Sequence, residues 1–137
     1  MAKREREKNF DVEIEEKNSV KVLNLRGYLD AYTSLKFEEV MKKLVEGGSY
    51  KLVVNMKNLS YISSAGFGVF MAFVDEVRKN GGDIKFCCLS KKIDEIFELL
   101  GFKHIFSVLN SENEAIKSHT YGVEQTDDIT MVAVKVL

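Results

Sequence analysis

What this sequence lacks already excludes several classes of protein. Its 137 residues include no proline and no tryptophan, and only two cysteines and two histidines. Adjacent cysteines, Cys87 and Cys88, cannot form the disulfide framework of a small secreted domain, and their spacing to the histidines is not that of a zinc site. No apolar run reaches the ~20 residues of a membrane-spanning helix. We therefore expect free, buried thiols in a reducing compartment, no metal and no membrane span.

The charges give no indication of a polyanionic partner. Lys and Arg number 20 and Asp and Glu number 21, for a net charge of -1, so no basic excess exists to neutralise nucleic acid phosphates or an anionic membrane. The length predicts one main domain. Residues 1–8 form a charged leader with no apolar run behind it, which is unlike a signal peptide. A cytoplasmic location is predicted by elimination.

Hydrophobic periodicity predicts strands that alternate with helices. The period of two from Phe10 to Ile14 predicts an edge strand, and residues 20–26 predict its hairpin partner. Dense apolar runs at 51–56 and 84–89 predict buried, parallel strands, and 105–108 a short one. Lys57-Asn58 is predicted to be a polar turn. The fold class is therefore α/β, with a mostly parallel, mixed sheet that carries an N-terminal hairpin strand.

Apolar stripes at helical spacing predict the intervening helices. We expect Thr33 or Ser34 to cap the first helix, and a short last helix at 111–118. The predicted core stripes consist of Phe37, Val40, Met41 and Leu44 in the first helix, Phe67, Phe70, Met71, Val74 and Val77 in the second, and Ile93, Ile96, Phe97 and Leu100 in the third.

Two serines and two glycines stand where the loop after residue 62 becomes the second helix. A glycine within a helix costs about 1 kcal/mol relative to alanine, so Gly66 and Gly68 indicate either tight packing on the sheet or a surface that a partner approaches. One of Ser63 and Ser64 is predicted to be a helix N-cap. The other is a candidate modification site, because a helix N-terminus tolerates a phosphate that a docked partner would not.

Motifs of the common enzyme classes are missing. The chain has no GxSxG, no Walker lysine loop and no GxGxxG, and the GxG fragment at 66–68 is too short to indicate a nucleotide site. We therefore predict no catalytic residue, no metal and no cofactor.

Residues 55–82 (NMKNLSYISSAGFGVFMAFVDEVRKNGG) resemble the signature of the STAS domain, and more narrowly that of the bacterial anti-sigma-factor antagonists. The loop 27–30 (GYLD) and the passage 87–102 are similar to that family as well, so the resemblance covers about residues 8–118. It implies a STAS domain at 9–118.

The resemblance also implies a function, which is binding rather than catalysis. Members of this family bind an anti-sigma factor that is also a serine kinase, and so release a sigma factor. The kinase phosphorylates the serine after the motif aspartate, which ends binding, and a PPM-class phosphatase restores it. By this resemblance the acceptor is Ser64, and the free protein is a monomer. The implied partner-binding residues are Gly27, Asp30, Thr33, Ser63, Ser64, Gly66 and Phe67.

Departures from the family pattern keep alternatives open. Ser63 stands at the position of the motif aspartate and Ala65 at that of a second serine, so either Ser63 or Ser64 is a possible acceptor. The missing aspartate also supports an alternative function, that of a STAS scaffold or sensor module that is never phosphorylated. Tyr28 stands where many members carry a polar residue, which indicates a different partner surface.

Residues 119–137 form a C-terminal extension with a predicted strand at 130–136, which either adds an edge strand to this sheet or belongs to something else. The stretch 125–132 (QTDDITMV) resembles the closing motif of bacterial PPM phosphatases. Asp127 and Asp128 alone cannot assemble a two-metal site, so a hydrolase hypothesis rests on these two residues only.

Overall fold

Five strands form one sheet in the computed structural model, which describes residues 10–120. Their order in the sheet is also their order in the chain: β1 (Phe10–Lys17), β2 (Val20–Leu29), β3 (Lys51–Ile62), β4 (Asp83–Cys87) and β5 (Ser107–Leu109). The hairpin β1–β2 is antiparallel and the other neighbours are parallel. The predicted mixed α/β sheet with an N-terminal hairpin is confirmed.

Within the described residues, four α-helices connect or follow these strands: α1 (Ser34–Glu46), α2 (Ser64–Lys79), α3 (Lys91–Leu99) and α4 (Glu112–Thr120). A 3-10 turn at Phe102–His104 lies between α3 and β5. The apolar residues of α1, α2 and α3 form the main core with one face of the sheet. Helix α4 covers part of the opposite face through Ala115 and Ile116.

The dense apolar sequence of β3 follows from these two layers. Leu52 and Val54 belong to the main core, while Val53 packs in the second cluster, with α4. A strand covered on both faces needs apolar residues at successive positions. The prediction of a buried central strand at 51–56 is therefore confirmed.

Polar contacts hold both ends of α4 to the sheet. Glu112 accepts hydrogen bonds from Lys17 Nζ at 2.6 Å and from Asn55 Nδ2 at 2.9 Å, and the bond from Lys17 lowers the pKa of Glu112. Near the other end, His119 Nε2 lies 2.8 Å from the Leu52 carbonyl oxygen, and burial lowers the pKa of His119. Because α4 continues to Thr120, the domain end proposed at residue 118 falls inside a helix.

Several local predictions were wrong. Strand β3 continues through the predicted turn at Lys57-Asn58 to Ile62, because Asn58 still pairs with Arg26 of β2 and this part of the strand is exposed on one face. Strand β4 ends at Cys87, because Cys88 has a left-handed backbone with φ of 65°.

Two residues assigned to core stripes lie at the surface instead: Met71 is 41% exposed and Leu100 is 55% exposed. The leader at 1–8 and the predicted strand at 130–136 lie outside the described residues. None of the helices formed by residues 10–120 has the length and apolar character needed to cross a membrane.

Candidate functional site

The carboxyl ends of β2 and β3 bring two helix starts together. Leu29 and Ile62, the last residues of these parallel strands, are paired. Just beyond them, the Ser63 N–H donates a hydrogen bond of 2.9 Å to the Leu29 carbonyl oxygen. The loop before α1 and the first residues of α2 are therefore neighbours at one end of the sheet.

Asp30 and Thr33 are bonded into the loop before α1. Asp30 Oδ1 accepts the backbone N–H groups of Tyr32 at 3.0 Å and Thr33 at 2.9 Å. Thr33 Oγ1 accepts the Asp30 N–H at 2.9 Å and donates to the Tyr28 carbonyl oxygen at 2.7 Å. These side chains satisfy backbone groups of the loop that leads into α1.

The prediction that Thr33 or Ser34 caps α1 is confirmed for the position of Thr33 but not for its side chain. Thr33 occupies the N-cap position without a capping side-chain bond, and the Ser34 hydroxyl donates to the Ala31 carbonyl oxygen. The Asp30 carboxylate instead accepts N–H groups of the turn that leads into α1, because it lies two and three residues ahead of Tyr32 and Thr33.

The start of α2 has a free hydroxyl at its surface. Ser63 is the N-cap, and its Oγ accepts the Gly66 N–H at 3.4 Å. Ser64 is the first helical residue and is exposed, and no residue among 10–120 forms a hydrogen bond with its hydroxyl. The first turn contains no acidic residue. A helix N-terminus of this kind favours added negative charge.

The two glycines of this helix have different surroundings. A Cβ at Gly66 would lie 2.9 Å from Leu29 Cγ and 3.0 Å from both Ile62 Cγ1 and the Leu29 carbonyl oxygen, so Gly66 is required by packing on the sheet. A Cβ at Gly68 would meet nothing within 4 Å. Packing within the described protein does not explain Gly68, which is exposed one helical turn beyond Ser64.

Other residues predicted to bind a partner are buried. The Phe67 ring stacks on Phe102 with centroids 4.3 Å apart and is 5% exposed. Gly27 is buried with φ of 94°, beside an irregularity in the β2–β3 register. The structure thus brings the seven predicted residues to one end of the sheet but gives surface only to Ser64, Ser63 and Asp30. Contact of the seven with a partner stays a prediction.

Exposed apolar side chains at this end of the sheet were mostly missed. Tyr28 and Tyr61 pair across β2 and β3, with ring centroids 5.8 Å apart, and are 49% and 41% exposed. Met71 lies two turns from Ser64 on the same side of α2. We call Ser64, Gly68 and Met71 the Ser64 surface. Tyr28 and Tyr61 point to the other face of the sheet, because they alternate with Leu29 and Ile62, which belong to the core that packs against α2. The sequence signalled only Tyr28, as a departure from the family pattern.

Cations have no evident site in the described part of the chain. Residues 10–120 contain no group of three or more His, Cys, Asp or Glu side chains that could hold a metal ion. Asp127 and Asp128 lie outside those residues. Burial and contact with Cys88 raise the pKa of the Cys87 thiol, which is typical of an unreactive core cysteine.

Comparisons with known proteins agree with this architecture. The STAS domain family matches residues 11–115. The anti-sigma-B factor antagonist of Bacillus subtilis (strain 168) is 30% identical over 100 residues, which cover 73% of this chain and 91% of that protein.

Two solved structures share the fold. An anti-sigma factor antagonist from Mycobacterium paratuberculosis superposes with a TM-score of 0.74 at 17% identity, over 81% of this chain and 94% of that one. The Bacillus cell fate determinant SpoIIAA in the phosphorylated form gives 0.60 at 21% identity, over 79% and 96%. The similarity in fold extends along nearly the whole of both solved structures and about four fifths of this chain.

Proposed function

This chain belongs to the STAS domain family, and we propose that it acts as an anti-sigma-factor antagonist. In this proposal the unphosphorylated protein, a monomer when free, binds an anti-sigma factor that is also a serine kinase, and so releases a sigma factor. Phosphorylation of Ser64 ends binding, and a PPM-class phosphatase restores it. The switch operates in the cytoplasm, where transcription is controlled. The name of the Bacillus subtilis relative supports the role.

The observation that carries the proposal is the exposed hydroxyl of Ser64 at the start of α2, which forms no hydrogen bond with any residue among 10–120. A kinase needs access to the hydroxyl, and this one can react without breaking a described hydrogen bond. The SpoIIAA structure in a phosphorylated form supports a phosphate on this fold.

A phosphate at Ser64 would act on binding more than on folding. It would add about 1.5 to 2 negative charges at pH 7, which the unpaired N–H groups and partial positive charge of the helix N-terminus stabilise. A partner packed over the same turn would have to bury this charge without a counterion, which is costly. Binding is thus lost while the domain stays folded.

Ser64 is favoured over Ser63 as the acceptor. The Ser63 hydroxyl is half-buried and accepts the Gly66 N–H as the helix cap, so its modification would disturb the first turn of α2. Ser64 is exposed on the same turn.

Large exposed side chains on and near the Ser64 surface suit a protein partner. Tyr28, Tyr61 and Met71 are large, exposed and apolar or amphipathic, and aromatic residues and methionine are enriched in protein interfaces. The open space at Gly68 allows a partner's backbone or side chain to approach the helix closely.

The test compares full-length variants recovered from the organism's own cells. Wild type, Ser64→Ala and Ser64→Asp are purified with their bound proteins and mapped for phosphate by mass spectrometry. Ser107→Asp serves as the control, because Ser107 is an exposed serine on β5, an edge strand two positions away from β3 in the sheet. We expect phosphate on Ser64 of the wild type, and a kinase bound to wild type, Ser64→Ala and Ser107→Asp but not to Ser64→Asp.

Affinity measurement with the recovered kinase then decides the mechanism. Ser64→Asp is expected to weaken binding by about 3 kcal/mol, roughly 100-fold, as for an uncompensated buried charge. Equal affinities for Ser64→Asp and Ser107→Asp would contradict the switch. A bound partner with no phosphate under any growth condition would instead support the scaffold or sensor function.

A further inference from the structure

The outer edge of β1 is available for another strand. β1 stands at the end of the sheet and, among residues 10–120, pairs only with β2. An edge strand presents unpaired backbone N–H and C=O groups that can template a further strand. β1 has eight residues, whereas β5 at the other edge has three. The long edge is therefore that of β1.

The side chains on the two faces of β1 determine which side chains a strand paired with it needs. On the core side, Val12 is half-buried against the core and Ile14 remains 41% exposed. The opposite side is a row of exposed acidic residues, Asp11, Glu13 and Glu15. Asp11 pairs with Arg26 and Glu15 with Lys17, but no described residue forms an ion pair with Glu13. A complementary strand would be apolar on one side and basic on the other.

We infer that residues 130–136 of the same molecule pair with β1 as an additional antiparallel strand. These residues lie outside the described range, and their sequence, TMVAVKV, has valines on one side and a single lysine on the other. Val132, Val134 and Val136 alternate with Met131, Ala133 and Lys135. With the valines toward the core side, they would cover Ile14, and Lys135 would lie on the side of the acidic row.

The end of α4 gives the chain the reach and direction for this pairing. His119 bonds to Leu52, which pairs with Lys21 in β2, and the preceding Val20 pairs with Lys17, the last residue of β1. Helix α4 thus ends at the end of the sheet where β1 ends. A strand outside β1 lies roughly 15 Å from β3, at about 4.8 Å per strand.

The connection is long enough for that distance. Residues 121–129 separate α4 from the proposed strand, and nine residues span up to about 30 Å when extended. A strand that starts beside Lys17 and runs toward Phe10 is antiparallel to β1, which is the direction that the inference requires.

A second copy of the protein is a poorer occupant of this edge. Antiparallel pairing of β1 with its own copy would place the row of Asp11, Glu13 and Glu15 beside the same row of the copy, on one face. Like charges on directly opposed strands are destabilising. The C-terminal segment offers a lysine there instead.

Amide hydrogen exchange of the full-length protein tests the pairing. Proline in a strand removes a backbone donor, so Val134→Pro should break the ladder, whereas Thr126→Pro lies in the connection and is the control. Peptides from residues 10–17 are expected to exchange about tenfold faster in Val134→Pro and at the wild-type rate in Thr126→Pro. Peptides from β3 report that the domain is folded.

Two outcomes would overturn the inference. One is identical exchange of residues 10–17 in Val134→Pro and wild type. The other is protection that grows with protein concentration, which would assign the edge to a second copy.

A charge-reversal cycle probes the proposed side of the strand. Glu13→Lys and Lys135→Glu are each expected to speed exchange at residues 10–17, and the double variant to return it toward the wild-type rate. Additive effects in the double variant would contradict placement of Lys135 beside the acidic row.

Discussion

The loop before α1 and the start of α2 are neighbours, because the Ser63 N–H donates to the Leu29 carbonyl oxygen. The two helix starts nevertheless use their polar side chains differently. At α1, Asp30 and Thr33 direct their side-chain oxygens into the backbone of their own loop. At α2, one capping bond of 3.4 Å is made by Ser63, and the next hydroxyl, that of Ser64, is left to solvent.

This difference distinguishes residues that shape the site from the residue available for chemistry. Thr33 is 9% exposed, so a partner cannot reach its hydroxyl without opening the loop. The Asp30–Thr33 loop instead fixes the position of the strand end to which Ser63 is bonded. Residues that belong to the same sequence motif therefore need not have the same role.

The largest stability difference is expected between Thr33→Val and Ser64→Ala. Thr33→Val keeps the side-chain shape but leaves the Asp30 N–H and the Tyr28 carbonyl oxygen without their partner, so we expect a loss of about 2–3 kcal/mol in the free energy of unfolding. Ser64→Ala should stay within about 0.5 kcal/mol of wild type. Urea denaturation measures both, and equal losses would remove the distinction between the two starts.

The two glycines of α2 should respond to alanine with opposite signs. Gly66→Ala places a methyl group against Leu29 and Ile62, and we expect it to destabilise the fold by about 1–3 kcal/mol. Gly68→Ala enters open space and should stabilise the helix by up to about 1 kcal/mol. Thermal denaturation checks the signs. Destabilisation by Gly68→Ala would mean that the residue packs against a neighbour.

Partner binding by the Gly68→Ala variant tests the difference between Gly66 and Gly68 further. If a partner approaches the helix at Gly68, this more stable variant should bind more weakly, which the affinity assay with the recovered kinase measures. Unchanged affinity would exclude close approach at this position.

Asp30→Ala should cost about 1 kcal/mol of stability, since it removes the acceptor of two backbone N–H groups, as in the loss of a helix cap. Asp30→Asn retains an acceptor oxygen and should recover most of that loss. Sequence reasoning assigned Asp30 to partner contact, for which stability would hardly change. Unfolding measurements on both variants decide between these roles.

The smallest effects are expected at Ser63. Its capping bond is long, so Ser63→Ala should lose only about 0.5 kcal/mol. Ser63→Asp restores the carboxylate of the family motif, caps the helix and complements its dipole, so it should gain about 0.5 kcal/mol. A loss of more than about 2 kcal/mol in Ser63→Ala would indicate that the α2 start is as tightly bonded as the α1 start.

Periodicity was sufficient for the order of strands and helices, because the sheet faces impose their pattern on the sequence. Alternation in β1 and the dense run in β3 correspond to one and two covered faces. The prediction failed in the second half of β3, where the strand is exposed on one face. Lys57 and Asn58 look like a turn in sequence because they are polar and exposed, yet they remain in β3, where Asn58 pairs with Arg26 of β2.

The placement of Ser63 and Ser64 at the start of a helix could be predicted, but the different surroundings of neighbouring residues there could not. Ser63 and Ser64 are indistinguishable as residue types, and their separation depends on which hydroxyl meets the Gly66 N–H. Likewise, Gly66 and Gly68 differ through Leu29 and Ile62, the strand-end residues that lie against the first of them and not the second. Met71 fits a helical stripe but lies outside the packed side of α2.

The pairing of Tyr28 with Tyr61 has an optical consequence. The chain has no tryptophan and five tyrosines, so its near-ultraviolet emission comes from tyrosine alone. Two of these fluorophores lie 5.8 Å apart at the strand ends that precede Ser64. A phosphate at Ser64, or a protein docked beside it, would change the polarity around these tyrosines and the quenching of their emission. The natural protein therefore carries an intrinsic, label-free reporter of its own state.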